Sequence, residues 1–279
     1  ARALKDRPSV RTSVTSATNT FNANREEAYS QIDSDLWRDW ARDVKSHALT
    51  NLDQYLEQAE TQLLANGAQV HWAETADDAL GLLEEIVRDQ GISTAVKAKS
   101  MLSEELGINE HLENLGVHVR ETDLGEYIIQ LIGEPPSHIV GPAIHRSLED
   151  CQRLFHEQFG TPLDDGPDAL AATAREALRE EFLAADLGIS GGNFLVAETG
   201  TVALIENEGN IRLSTSLPRV HIALVGIEKI VPRLEDVSGF VQLTSRAATG
   251  QAIGNFFSLI QGPKRDGDID GPEEVHVIL

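Results

Sequence analysis

The chain is short of thiols, short of lysine and free of long apolar runs. Cys151 is the single cysteine among 279 residues. A disulfide framework within the chain is excluded. A zinc or iron–sulfur centre held by this chain's own thiolates is excluded too, because such centres take several. Lysine occurs six times, as Lys5, Lys45, Lys97, Lys99, Lys229 and Lys264. Lys plus Arg number 23 against 45 Asp plus Glu, a formal net charge of −22. Affinity for nucleic-acid phosphate rests on clustered Lys and Arg, so no nucleic-acid partner is expected. The acidic excess is spread along the chain. It reads as a solubilising surface, or as adaptation to salt. With no run of about 18 apolar residues, no membrane insertion is expected. The polar N-terminus has no apolar signal-peptide core. The expectation is a cytoplasmic protein.

Hydrophobic residues make up 41% of the chain, enough for a globular core. Residues 1–24 are rich in Ser, Thr, Asn and Arg and read as an extended or loosely held arm. From Arg25 to Asn66, apolar residues recur at helical spacing, which predicts two helices broken near Ser46–Thr50. Residues 1–66 are therefore an arm and helical extension, and 67–279 an α/β domain. Strands are predicted at Gln69–Trp72, Ser93–Lys97, Val117–Glu121 and His138–Val140. Helical segments alternate with them, at Ala76–Gln90, Ser103–Gly107, Asn109–Leu115, Gly125–Ile132, Leu148–Phe159 and Ala169–Ala185. That alternation implies a mainly parallel sheet. After residue 186 the chain turns β-rich, at Leu187–Ser190, Phe194–Glu198, Val202–Glu206 and His221–Val225. Such clustering implies an antiparallel hairpin or mixed region. A helix at Leu234–Ala248 and strands at Asn255–Ile260 and Glu274–Leu279 complete the pattern.

Several motifs could carry chemistry. Lys97, Lys99 and Ser100 close a predicted strand, and ligands of open α/β sheets bind outside the carboxyl ends of strands. They could hold an anion, or they could be ordinary solvent-facing residues. Asp123 suits a helix N-cap with Glu126 at the capping-box position, or Glu126 could meet a ligand. His138 and His145 lack partners at metal-ligand spacing and read as structural histidines. No metal site is expected.

The densest segment runs from Asp186 to Asn210. Glu198, Thr199, Gly200 and Thr201 form one turn, and Asn207, Glu208, Gly209 and Asn210 another. Glycine-rich turns let the backbone approach a ligand, and carboxylates beside them could serve as nucleophile or base. Both are good hairpin turns as well. Arg219 could clamp a carboxylate or lead into a buried strand. The Asp-rich stretch Asp266–Glu274 lacks an EF-hand's bidentate Glu and reads as a surface loop.

Seven motifs in order now form a pattern. They are Lys97-Ala98-Lys99-Ser100-Met101, Glu121-Thr122-Asp123-Leu124-Gly125-Glu126-Tyr127, Pro135-Pro136-Ser137-His138, Glu198-Thr199-Gly200-Thr201, Asn207-Glu208-Gly209-Asn210, Leu217-Pro218-Arg219 and Asp270-Gly271-Pro272-Glu273-Glu274. The set resembles the LUD-domain family, in its lactate-utilization protein B branch, from about Leu36 to Leu279. The family pattern is closer to Lys-Ser-Lys-Ser-Met, so Ala98 departs at one place.

The resemblance implies a Rossmann-like core of the NagB/RpiA/CoA-transferase type. It implies a component of a complex that oxidises L-lactate to pyruvate with other lactate-utilization subunits, and it leaves open whether the chain is catalytic alone. Family members continue into a ferredoxin-like region with two Cys-rich motifs. The resemblance thus places 4Fe-4S clusters outside these residues and no cofactor within them. The chain reads as an excised domain or a truncated paralogue, able to form a homo-oligomer. A small anionic ligand would meet Lys97, Lys99, Ser100, Asn207, Asn210 and Arg219, with the 198–201 turn at the same strand ends. The alternative is a free-standing CoA-transferase-like or sugar-phosphate-isomerase-like enzyme using Glu198 or Glu208 as nucleophile or base. A purely structural assembly domain is a third reading.

Overall fold

Short Val-, Ile- and Leu-rich segments bounded by glycine, alternating with capped amphipathic helices, build the frame. The computed structural model describes residues 8–137 and 141–279. Helices α1 (Pro8–Ser30), α2 (Ser34–Thr50) and α3 (Leu52–Ala65) come first. Then follow β1 (Gln69–His71), α4 (Ala76–Asp89), β2 (Thr94–Lys97), α5 (Met101–Glu105), α6 (Ile108–Asn114), β3 (His118–Glu121) and α7 (Leu124–Ile132). Next are α8 (Leu148–Phe159), α9 (Pro167–Ala184), β4 (Leu187–Ser190), β5 (Phe194–Val196), β6 (Thr201–Glu206) and α10 (Asn210–Ser216). The chain closes with β7 (Val220–Leu224), β8 (Ile230–Val231), α11 (Leu234–Thr249), β9 (Phe256–Ile260) and β10 (Glu274–Ile278).

Local chemistry explains several boundaries. Thr75 and Asp78 form a capping box at the start of α4, and Ser147 and Asp150 do the same for α8. Helix α9 has proline in its first turn, where the missing N–H costs nothing.

Six strands form one parallel sheet in the order β1-β10-β7-β4-β2-β3. Its inner strands β4 and β7 are buried throughout, as expected where a parallel sheet is covered on both faces. The β-rich segment does not extend this sheet. It forms a second, mixed sheet in the order β8-β5-β6-β9. The α/β class read from the sequence is what the structure has.

One face of the parallel sheet packs on α4 and α6 through Leu83, Ile86, Ile108 and Leu112. The opposite face meets α7, α8 and α9 through Val96, and meets the second sheet through Ala223, Val275 and Val277. Helices α2 and α3 share cores with the second sheet, through Ala48, Ala59 and Leu63 in one cluster and Trp40 and Val44 in another. No helix among the described residues is long and apolar enough to cross a membrane.

Two expectations need correction. Residues 8–24 are not an extended arm; they lie in α1. Its end is fixed to α11, where Arg246 Nε donates to Ala28 O and the Tyr29 hydroxyl donates to Leu243 O. The fixing partners lie more than 200 residues away, beyond the reach of local pattern. The sequence pattern also offers no helix at Asn210–Ser216. Asn, Ser and Thr are weak helix formers, yet Glu206 accepts from the Ile211 and Arg212 N–H groups and caps the turn. The expected strand His138–Val140 lies outside the described residues.

Candidate functional site

The carboxyl ends of β2, β3 and β4 meet α5, α7 and the turn before α10. Lys97 ends β2 and is the register partner of Glu121, which ends β3. Both side chains face the α4–α6 side of the sheet. Lys97 is 0% exposed and Glu121 2%. Lys97 Nζ lies 2.8 Å from Glu104 Oε1 and 2.9 Å from Glu121 Oε1, and it donates to Ser103 Oγ at 3.1 Å. Burial disfavours the Lys97 charge, but Glu121 and Glu104 outweigh it and hold its pKa above the ordinary value. Asn109 Nδ2 also donates to Glu121 Oε1, at 2.6 Å. Glu126 lies beside this group and is 5% exposed. Burial, then the charges of Glu121 and Glu104, push its pKa up to about 7.

Lys99 stands one alternation further out, its side chain 28% exposed and 2.8 Å from Asp123 Oδ2. Asp123 caps α7 by accepting from the Gly125 and Glu126 N–H groups. The Glu126 side chain does not complete a capping box; it turns inward to Glu121 and Glu104. Ser100 caps α5 and packs on Gly191, where an added Cβ would come 2.8 Å from Ser100 Oγ. That contact joins the end of β2 to the end of β4.

Glu208 is exposed at the mouth. Partial desolvation raises its pKa, and the Asp123 charge adds to the effect. Asn210 Nδ2 donates to Thr122 Oγ1, which donates to Lys97 O. Gly209, at φ +80°, provides the left-handed turn between Glu208 and α10.

The structure therefore brings Lys97, Lys99, Ser100, Glu208 and Asn210 together. Lys97 has no exposed face with which to hold a ligand, because two carboxylates and a hydroxyl occupy its ammonium group. Lys99 is the accessible cation. Asn207 adjoins the site but bonds outward to Gln251 and Asn255.

The remaining candidates lie elsewhere. Glu198, Thr199, Gly200 and Thr201 lead into the start of β6, whereas Asn207 to Asn210 follow its end. The two turns are thus at opposite ends of one strand, not at the same strand ends. Glu198 accepts from Leu234 N at the start of α11. Thr199 O accepts from Asn66, and Thr201 Oγ1 from Thr199 or Gln261. A Cβ on Gly200 would come 2.5 Å from Leu63 N, so this turn is packed on α3. Arg219 precedes β7, at the amino end of the parallel sheet, and donates to Gln90. His145 bonds Ser137 and Glu134, as a structural histidine does; His138 lies outside the described residues.

Sequence reasoning missed Glu104 and Glu121 as members of this group. The one signal for Glu121 was the pairing of two strands that both end in a charged residue; Glu104, on α5, had none.

The LUD domain family matches residues 56–279. This chain belongs to the LUD domain family. An E. coli K12 LUD relative, described as an uncharacterized electron transport protein YkgF, is 40% identical over 273 residues. That alignment covers 98% of this chain and 58% of the relative. Lactate utilization protein B of Shouchella clausii is 42% identical over 272 residues, covering 97% of this chain and 57% of that protein. The Bacillus licheniformis protein of the same name is 41% identical over 276 residues, covering 98% and 58%. The chain thus spans less than two thirds of their length. A solved DUF162 family protein from Deinococcus radiodurans aligns at a TM-score of 0.46 and 16% identity, over 82% of this chain and 97% of that one.

Proposed function

We propose that this chain is the LUD module of a cytoplasmic lactate-utilization protein that takes part in oxidation of L-lactate to pyruvate with partner subunits. The observation that carries the reading is the identity of about 40% to lactate utilization proteins B along nearly the whole chain.

Within that reading, Lys99 meets the carboxylate of the 2-hydroxy acid, in exchange for part of its contact with Asp123. Ser100 and Asn210 supply polar contacts beside it. Glu208, its pKa raised toward neutrality's side of the ordinary range, accepts the hydroxyl proton. Lactate gives up two electrons and two protons on becoming pyruvate. One proton goes to Glu208. The electrons and the second proton go to an acceptor held by the partner subunits or by sequence beyond these residues.

The iron–sulfur clusters of the family resemblance do not fit this chain. Such clusters take four thiolates, and Cys151 stands alone, partly buried against the α7–α9 core. No step is routed through a cluster here.

The test is L-lactate-dependent reduction of an artificial electron acceptor by the full-length protein with its partners. Lys99→Met is expected to raise KM for lactate about 10-fold or more, as loss of a charged hydrogen bond does. Glu208→Gln is expected to lower kcat by about 100-fold or more. If neither variant changes the kinetics, the site assignment fails. If deleting the gene leaves growth on L-lactate unchanged, the lactate reading fails.

A further inference from the structure

Glu104 from α5, Glu121 from β3 and Glu126 from α7 each offer one carboxylate oxygen, and these three atoms lie within 4.8 Å of one another. With all three ionised, the buried Lys97 compensates only one of the three charges. Both hydrogen-bond partners of Glu121, Lys97 and Asn109, are on its Oε1. Its Oε2 is buried and has no partner among the described residues. Among the described residues the Oδ1 of Asn109, whose Nδ2 bonds Glu121, is buried without a partner as well. A solvent-free carboxylate oxygen with no donor is costly, so the orphaned Glu121 oxygen marks a place for a positive group. Among the described residues, the Glu126 carboxyl group makes no hydrogen bond that would supply one.

We propose that Glu104, Glu121 and Glu126 bind one divalent cation of the magnesium or manganese type. Metal–oxygen bonds of about 2.0–2.1 Å hold an ion's oxygen ligands about 3–4 Å apart, so three oxygens within 4.8 Å of one another need draw in by only about 1 Å to share it. One divalent charge neutralises what Lys97 leaves. The ligand set is all oxygen, which suits hard cations and disfavours copper and other metals that prefer sulfur or imidazole. Glu104 is partly exposed and opens the site to solvent, so an ion can enter without unfolding the sheet. Lys97 stays on the Oε1 edges and orients Glu104 and Glu121, as a positioning residue. The site is independent of the lactate reading, because it requires no substrate.

The experiment is titration of the full chain with Mn2+, followed by calorimetry and by loss of the free-ion electron paramagnetic resonance signal. One ion per chain is expected, with a rise in melting temperature through linkage to the folded state. Glu126→Gln is expected to weaken binding at least about 10-fold and to abolish the thermal shift. Glu121→Gln should do the same, but it also strips a partner from Lys97 and could unfold the protein. Glu126→Gln leaves the lysine pair intact and decides the matter by itself. Glu105→Gln, exposed on the same helix, controls for diffuse binding to so acidic a surface and should change nothing. No uptake at millimolar Mn2+, or undiminished uptake by Glu126→Gln, overturns the proposal.

Discussion

Lys97 and Glu121 are register partners on adjacent parallel strands, and Lys97 Nζ lies 2.9 Å from Glu121 Oε1 with neither side chain reaching solvent. A buried pair of this kind repays its desolvation only while both partners are present. Lys97→Met leaves the buried Glu121 carboxyl group without its cation and with Asn109 as its remaining side-chain partner among the described residues. The expected loss is about 3–5 kcal/mol of unfolding free energy, read from urea denaturation. The double variant Lys97→Met/Glu121→Gln should recover part of it. A double variant no more stable than the single one contradicts the pairing.

His221 predicts how stability responds to acid. It is wholly buried, with Nε2 2.9 Å from Ser190 Oγ. Burial, then the charge of His276, lowers its pKa to about 3. The unfolded imidazole titrates near 6.5, so between about 6.5 and 3 the unfolded chain carries the extra proton. This contribution is fully present above the unfolded pKa and is lost as pH falls through that window, by up to about 1.4 kcal/mol per unit. His71 and His276 are shifted down as well, chiefly by burial, and act in the same direction. Urea midpoints measured across this range should fall less steeply for His221→Gln than for the native chain. Equal slopes would mean His221 accepts its proton while folded.

Arg246 is expected to hold α1 in place. It is buried and donates to Ala28 O, Gln242 O and Ala252 O. Arg246→Ala should cost about 1.5–3 kcal/mol for the charged hydrogen bonds. Limited proteolysis should then cut within residues 8–30 faster than in the native chain. An unchanged cleavage rate would show that other contacts retain the helix.

Gly188 marks the closest approach of a strand to a helix. A Cβ there would sit 1.7 Å from Ser214 O, a backbone atom of α10. Gly188→Ala must push α10 off β4, at the upper end of the overpacking range, about 3 kcal/mol or more. A fall in melting temperature checks this. Because α10 follows the Glu208 turn directly, the activity proposed for that site should drop with it. A stable Gly188→Ala protein would contradict the packing.

Much of the architecture was legible because it is written in local pattern. Thr75 and Ser147 announce their helices by a carboxylate three residues later, and the glycines after α7 and α8 stop theirs. The alternation of strand and helix signals was enough for a parallel sheet. What local pattern lacked was reach. Alternation showed that Lys97 and Lys99 differ from Val96 and Ala98 in facing. It carried no information on Glu104 and Glu121, which close over Lys97 from other elements. The turns at Glu198–Thr201 and Asn207–Asn210 look equivalent in composition, and β6 holds them at opposite ends.

The sequence by itself determined the family, the strand–helix alternation and the acidic balance in which an accessible lysine stands out, because each depends on residue type and spacing along the chain. Only the tertiary structure decided which lysine is accessible, and that Glu104 and Glu126 converge on Glu121, whose second carboxylate oxygen has no partner among the described residues. Those facts depend on distances across strands and helices far apart in sequence. At such distances burial and charge pairing, not residue identity, set what a side chain can do.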